Sequence, residues 1–418
     1  MGKHGKAAAD GHPFALRHTS AGARQHHLQQ ADREPSDSGG RRVELLRLRA
    51  ETKEGEEGMN EIEEAIEAYQ ERTAENANKI AAFKVKQCMP YDFKVRYAKI
   101  RIDEFIRECD RRELNTHVSV GGLDSITLFL FIKSLGYTDI PGVSVSALED
   151  RSIQKIHEEL GIIRLKPYRS KVDILNEFGF PVISKEIASK IELLQHPTDK
   201  NKTVRHAIIT GETGAYGGYR KDTRMKLPDR WLQLFGGYEN DAEGVNYQTP
   251  PFQVSSKCCY YLKEKPADDW AKEHNSVPFL GLMASEGGRR EKSLMLNGCN
   301  YFGKSTTRSA PFAIFNRQDL LQLAIDLNVP IPAIYGKIER KIDGTLYTTK
   351  AQRTGCSMCG FGIHMEKRPH RFDYLRKRNP DEWEFWMKRC CKDSEGNLYG
   401  WGRVLDYIGV GWEENLIM

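Results

Sequence analysis

Four of the nine cysteines in this 418-residue chain carry a spacing with chemical meaning. Cys258 and Cys259 are adjacent, and Cys356-Ser357-Met358-Cys359 follows much later in the chain. A C-x-x-C pair puts two sulfurs on one tight turn. Four thiolates gathered by a fold are what a soft metal centre requires, either tetrahedral zinc or an iron–sulfur cluster. Neighbouring side chains diverge, and a cluster of several irons accepts that divergence more easily than a single zinc ion does. The same residues admit a plainer reading, in which Cys258 and Cys259 are packing groups and the C-x-x-C is a lone dithiol. His364 and Cys299 are outside candidates as further ligands.

The other cysteines suggest no disulfide framework, because nine is an odd number at low density and Cys88, Cys109 and Cys299 stand singly. The first fifty residues lack the apolar stretch of a secretory signal, and no run of eighteen apolar residues exists to span a membrane. A reducing cytoplasm is therefore expected, where clustered thiolates bind metal more often than they form disulfides. At 39% hydrophobic residues the chain can bury a sizeable core. A net charge of +5 is too mild to call for a nucleic-acid partner by itself. Basic residues do concentrate after the C-x-x-C, from Lys367 to Arg389, interleaved with Phe372, Tyr374, Trp383, Phe385 and Trp386. That stretch reads either as an amphipathic helical region with a solvated basic face or as a surface for polyanions.

A second chemical feature is a glycine turn. Thr116–Val120 is a short β-branched run, Gly121-Gly122-Leu123-Asp124-Ser125 is a turn, and Ile126–Leu135 is an apolar helix closed by Gly136. Gly142–Ser146 reads as the next strand, which completes a βαβ unit of a parallel sheet. Glycines at such a junction let backbone amides approach a phosphate at a helix N-terminus, with Ser125 and Thr127 as hydroxyl donors and Asp124 as an N-cap. A plain structural turn needs the same glycines.

The elements that must position these groups follow in order. Residues 1–58 are rich in His, Arg, Gly and Ser, with few large apolar groups, and are expected to be disordered, with Met59 as a candidate native start. Residues 59–112 read as a helical lead-in, with a second helix over 91–110 that turns Tyr97, Ile100, Phe105 and Ile106 inward. Residues 113–345 read as the α/β domain, with further strands at Ile162–Leu165 and His206–Thr210, and residues 346–418 as a cysteine-bearing C-terminal region packed on it. Gly211–Tyr219 reads as a lid or a surface loop.

The segment from Lys94 through Val118-Ser119-Val120-Gly121-Gly122-Leu123-Asp124-Ser125 resembles the phosphoadenosine phosphosulfate (PAPS) reductase family, within the PP-loop, adenine nucleotide α-hydrolase-like group. Gly179-Phe180-Pro181-Val182-Ile183-Ser184-Lys185 is similar to a stretch in members carried by phage and mobile elements. Cys258-Cys259-Tyr260-Tyr261-Leu262-Lys263 and the Cys356/Cys359 pair resemble the cysteine set of iron–sulfur sulfonucleotide reductases. Gly281 through Arg290 resembles a substrate segment, and Pro311–Phe315, Asp319-Leu320 and Val329 to Tyr335 resemble the block that precedes the C-x-x-C. The likeness covers roughly residues 85–390.

The resemblance implies a Rossmann-like parallel sheet that binds an adenine nucleotide, with Gly121, Gly122, Asp124, Ser125, Glu286, Arg289 and Arg290 around its phosphate or sulfate. It implies a [4Fe-4S] cluster on Cys258, Cys259, Cys356 and Cys359, with zinc as the alternative. It also implies sulfonucleotide reduction with a thiol reductant protein as partner. Three departures limit it. Leu123 replaces the loop lysine that would neutralise a pyrophosphate leaving group. Val120 replaces the loop's leading serine. No Glu-Cys-Gly-x-His motif carries a nucleophilic thiol, and Cys390-Cys391 is the nearest substitute. Two other functions stay open: ATP-dependent sulfur modification of DNA or tRNA, and a non-catalytic nucleotide-binding regulatory module.

Overall fold

The computed structural model describes residues 56–145, 149–214, 219–220, 223–237, 239–240 and 245–412. Two compact units divide the chain, Met1–Lys79 and Ile80–Met418. The expectations for residues 1–55 lie outside the described residues. A long helix, α1, runs Glu56–Gln87. Its described part in the first unit is held locally, by Thr73 Oγ1 donating to the Tyr69 carbonyl at 2.7 Å and by a Glu75–Lys79 pair at 2.6 Å.

The second unit is mixed α/β, built on a six-stranded, mostly parallel sheet consistent with a Rossmann-like arrangement. Helix α2 (Tyr91–Arg111) leads into β1 (Asn115–Ser119), α3 (Leu123–Ser134), β2 (Gly142–Ser144), α4 (Arg151–Glu159) and β3 (Ile163–Arg164). Helices α5 (Lys171–Phe178), α6 (Lys185–Gln195), α7 (Lys202–Thr210) and α8 (Asp229–Phe235) follow. Helix α9 is continuous over Lys257–Cys259, a π turn at Tyr260–Glu264, and Lys265–Glu273. Strand β4 (Ser276–Leu280), α10 (Gly288–Asn297), β5 (Asn300–Phe302), β6 (Thr307–Ser309) and α11 (Arg317–Asp326) complete the sheet region. Helices α12 (Arg371–Arg378), α13 (Pro380–Lys388) and α14 (Trp401–Ile408) close the chain.

The sheet order is β3-β2-β1-β4-β6-β5, with β5 antiparallel at one edge. β1 is central: Val118 pairs Gly142 on one side, and Asn115 through Ser119 pair Ser276 through Leu280 on the other, all parallel. A strand covered on both faces needs apolar neighbours all round, and α3 supplies them. Seven of its twelve residues are buried, Leu123, Ile126 and Leu128 among them. Helix α2 buries Ala98, Ile102 and Phe105, and the buried Lys94 is neutralised by Asp319 of α11 at 2.7 Å. Ile100, expected to face inward, is exposed, since α2 turns only one stripe to the sheet.

A second apolar core lies in the same unit. Residues from the stretch 175–254, such as Phe180, Val182 and Phe235, pack with residues from 358–412, such as Phe372, Trp383, Trp386 and Trp401. The strand expected at His206–Thr210 is instead the helix α7. A short β-branched apolar run does not by itself separate strand from helix. The helical signal was upstream, where Thr198 and Asn201 form a reciprocal capping box. In the 211–219 stretch, Thr213–Gly214 pairs antiparallel with Tyr219–Arg220, and the residues between lie outside the described ones.

Candidate functional site: a glycine loop tied to a thiol cluster

The loop leaves the C-terminal end of β1, where open α/β sheets receive ligands. Gly122 is the N-cap of α3, so the start of that helix aims its amides outward. The loop is largely satisfied from within. Ser125 Oγ accepts the Gly121 N–H at 2.7 Å and donates to the Gly122 carbonyl at 3.0 Å. The Leu123 N–H donates to the Tyr335 hydroxyl at 3.1 Å. Thr127 is not a loop donor, because its hydroxyl returns to the Leu123 carbonyl at 2.8 Å inside the helix. Asp124 does not cap the helix. Its carboxylate pairs with Arg317 at 2.5 Å, and burial raises its pKa more than Arg317 lowers it. Gly122 is required by close approach, since a Cβ there would collide with the Tyr335 hydroxyl.

Glu286 and Arg290 come to the same mouth from the chain after β4. Arg290 Nη1 donates to Glu286 at 2.8 Å, Arg353 stands 3.8 Å from the same carboxylate, and both Glu286 and Arg353 act electrostatically on Asp124. Arg289 is on α10, and its side chain lies outside the described residues.

The C-x-x-C stretch enters the second core through Met358, while Cys258 packs in a small cluster of its own with Ile174 and Leu262. Cys258 and Cys259 open α9, and the C-x-x-C closes a turn in which the Cys359 N–H donates to the Cys356 carbonyl at 3.2 Å. What joins them is the segment 180–183. The Phe180 N–H donates to the Gln253 carbonyl at 2.8 Å, and Phe180 bridges Val254, just ahead of Cys258. Ile183 bridges Phe361, just past Cys359, and its carbonyl accepts the Gly362 N–H at 2.9 Å. Gly360 fits only without a side chain, because a Cβ would meet the Trp401 ring and the Pro181 carbonyl.

The Cys258 and Cys259 thiols feel those of the C-x-x-C turn. Burial pushes Cys258 up to about 12, with Cys259, Cys356 and Cys359 adding to the rise and Lys171 opposing it. Burial likewise pushes Cys259 up to about 11, reinforced by Cys359 and Cys356. Burial also raises Cys356, against the pull of Lys263. Two ammonium groups sit in this neighbourhood. The buried Lys171 donates to the Ser357 carbonyl and, at 2.9 Å, to the Met358 carbonyl, and lies 5.0 Å over the Trp386 ring. Met358 holds a left-handed backbone (φ 53°), a strained setting for a non-glycine residue. Lys263 pairs with Glu149 and hydrogen-bonds Cys356; burial alone would lower its pKa, but those partners leave it raised.

As the side chains stand, no three His, Cys, Asp or Glu groups among the described residues converge at ligand spacing. The donor chemistry nonetheless suits a thiolate-bound centre, with four neighbouring sulfurs and two lysines beside them. His364 packs edge-on to Trp231 at 5.4 Å, and Cys299 is buried in the first core beside Tyr97; neither is among the main electrostatic neighbours of Cys258, Cys259 or Cys356. Cys390 and Cys391 are buried neighbours with sulfurs 3.9 Å apart. In the basic-aromatic stretch, Phe372, Trp383 and Trp386 are core residues, while Tyr374 and Phe385 are exposed. Several of its cations are engaged, Arg371 with Glu366, Arg378 with Asp150, and Arg376 over Trp383.

Sequence reasoning missed the residues that tie the loop to the thiols. Tyr335 OH, which caps Leu123, lies 2.6 Å from Thr354 Oγ1, two residues before Cys356. Arg317 grips Asp124 and also donates to the Gln352 carbonyl at 3.0 Å. On the other flank, His157 Nε2 is 2.8 Å from the Gly121 carbonyl and feels the charges of Glu149 and Lys263. No family model matches this chain, and no curated protein does.

Proposed function

We propose that the chain is a sulfonucleotide-binding protein of PAPS reductase type, of the PP-loop, adenine nucleotide α-hydrolase-like kind. In this reading it takes adenosine 5′-phosphosulfate, or its 3′-phosphorylated form, at Gly121–Ser125. The four cysteines Cys258, Cys259, Cys356 and Cys359 hold an iron–sulfur cluster, with zinc as the alternative, and the sulfuryl group is reduced. One observation carries the reading: the glycine loop and the thiols are joined on two flanks, through Tyr335–Thr354 and through His157, Glu149 and Lys263. Two unrelated structural features would have no reason to share these residues.

The chemistry of the parts supports it. The N-terminal end of α3 favours an anion, and at the loop's mouth three guanidiniums, Arg317, Arg290 and Arg353, outnumber the two carboxylates they pair with, Asp124 and Glu286. Leu123 is buried and apolar, so it offers no charge to a pyrophosphate leaving group, which favours a sulfonucleotide over ATP. A bound cluster would supply a fixed charge and a cross-link between the two cysteine stretches. Lys171 and Lys263 would balance the thiolates that hold it. With Cys390 and Cys391 buried, the reading assigns the two electrons to an external thiol donor. Two thiols become a disulfide, the sulfur–oxygen bond to the nucleotide breaks, and sulfite and an adenosine phosphate leave.

The deciding experiment is iron and acid-labile sulfide analysis of anaerobically purified protein, followed by incubation with the sulfonucleotide and a thiol reductant. Brown protein that releases sulfite is the expected result. Colourless, metal-free protein without turnover overturns the reading. ATP-to-pyrophosphate turnover stimulated by DNA or RNA would replace it with a nucleic-acid sulfur-modification factor. Tight nucleotide binding without chemistry would replace it with a regulatory module.

A further inference from the structure

The first three amides of the glycine loop, those of Gly121, Gly122 and Leu123, are not equivalent. The Gly121 N–H is taken by Ser125 and the Leu123 N–H by Tyr335, whereas the Gly122 N–H donates to nothing among the described residues. That free amide shares one peptide plane with the Gly121 carbonyl, and the two point in opposite directions. Whatever fixes the carbonyl therefore aims the amide.

The Gly121 carbonyl is fixed by His157. A carbonyl oxygen only accepts, so Nε2 carries the proton, and burial lowers the ring's pKa and keeps it neutral. The helix that carries His157 is held independently. Asp150 caps α4 by accepting the Ser152 N–H at 3.0 Å and is itself gripped by Arg378 of α12 at 3.0 Å. The Ser152 hydroxyl accepts the Ile334 N–H at 3.1 Å, next to the Tyr335 that covers the loop. His157 is thus a buried donor on a helix anchored both to the thiol-bearing core and to the loop's own cover.

We propose that His157 is the positioning residue of this site: by holding the Gly121 carbonyl it aims the free Gly122 amide at the bound anion. The proposal rests on the anion-binding reading of the loop and names the residue that orients its donor.

Asparagine and glutamine separate the two ring nitrogens, since a Gln amide reaches where Nε2 sits and an Asn amide only as far as Nδ1. Full-length wild type, His157→Gln, His157→Asn and His157→Leu are compared by calorimetric titration with adenosine 5′-phosphosulfate and by hydrogen exchange of a peptide covering Ser119–Ile126. Glutamine is expected to keep wild-type affinity and loop protection. Asparagine and leucine are each expected to lose about tenfold in affinity, the usual worth of one hydrogen bond, and to lose protection in that peptide alone. Equal loss in all three variants would mean that only the ring's shape matters, and no loss in any would mean that it has no role; either result overturns the proposal. If the leucine protein does not fold, the contrast between Gln and Asn decides. If the wild type binds no sulfonucleotide, the proposed function falls, while the exchange data still judge whether His157 orients the loop.

Discussion

His117 lies on the central strand β1, buried, with Nδ1 2.8 Å from the Ser276 hydroxyl. Burial, helped by His274, lowers its pKa from 6.5 to about 4. In the unfolded chain the ring takes its proton at the ordinary value, so between those two pH values the unfolded state binds more protons. Stability is therefore intact above about 6.5, falls as the pH drops toward about 4, and levels off below that for this group. The full contribution is about 3 kcal/mol. Urea unfolding midpoints measured across that window should decline in the wild type, and His117→Asn should flatten the decline. Leu123 makes a different point. In the proposed reading it takes the place of a lysine that would serve ATP cleavage, and its side chain is fully buried in the first core. Leu123→Lys is expected to cost about 3 kcal/mol or more by burying an ammonium, and to yield no pyrophosphate release from ATP. A stable, ATP-cleaving variant would refute this.

The elements show which parts of the fold local pattern encodes. The β1–loop–α3–β2 unit was legible because periodicity changes sharply at the glycines, and the helix over 91–110 because its apolar stripe is regular. α7 was misread because a nine-residue helix with two buried residues leaves little pattern. The cysteines could be picked out by their spacing, but not the segment 180–183 that links the two stretches, since its partners lie far downstream in the chain. Tyr335 and His157 were invisible for the same reason: their roles are single hydrogen bonds to loop backbone across a long sequence separation. Gly360→Ala tests the gathering segment directly. The added methyl must displace the Trp401 ring or the Pro181 carbonyl, so about 1–3 kcal/mol of stability should be lost. Metal content after reconstitution should fall with it.

At the scale of the whole molecule, the described residues of the second unit form two large cores and a small third cluster that holds Cys258. The parallel sheet and α2, α3 and α11 make one core, and the segments flanking both cysteine stretches make the other. A centre bound to all four thiols would cross-link the two cysteine stretches, so iron–sulfide or zinc loading should raise the melting temperature, with about 3 kcal/mol of added stability when free metal is a hundred-fold above its dissociation constant. Single Cys→Ser changes at 258, 259, 356 or 359 should abolish most of that rise, whereas Cys88→Ser should leave it. Equal behaviour of the five variants would remove the thiol centre. A buried ion pair secures the first core: Lys94→Met leaves the Asp319 carboxylate uncompensated and is expected to cost about 3–5 kcal/mol in urea unfolding.

The segment 180–183 also sets an order on biosynthesis. A ribosome delivers Phe180 and Ile183 long before their respective partners Val254 and Phe361 emerge, so this short stretch waits for two successive arrivals. The nascent chain has only the Cys258-Cys259 doublet to offer until the turn at Cys356 leaves the exit tunnel. A centre bound to all four thiols, as proposed, would therefore have to wait for the nearly finished polypeptide.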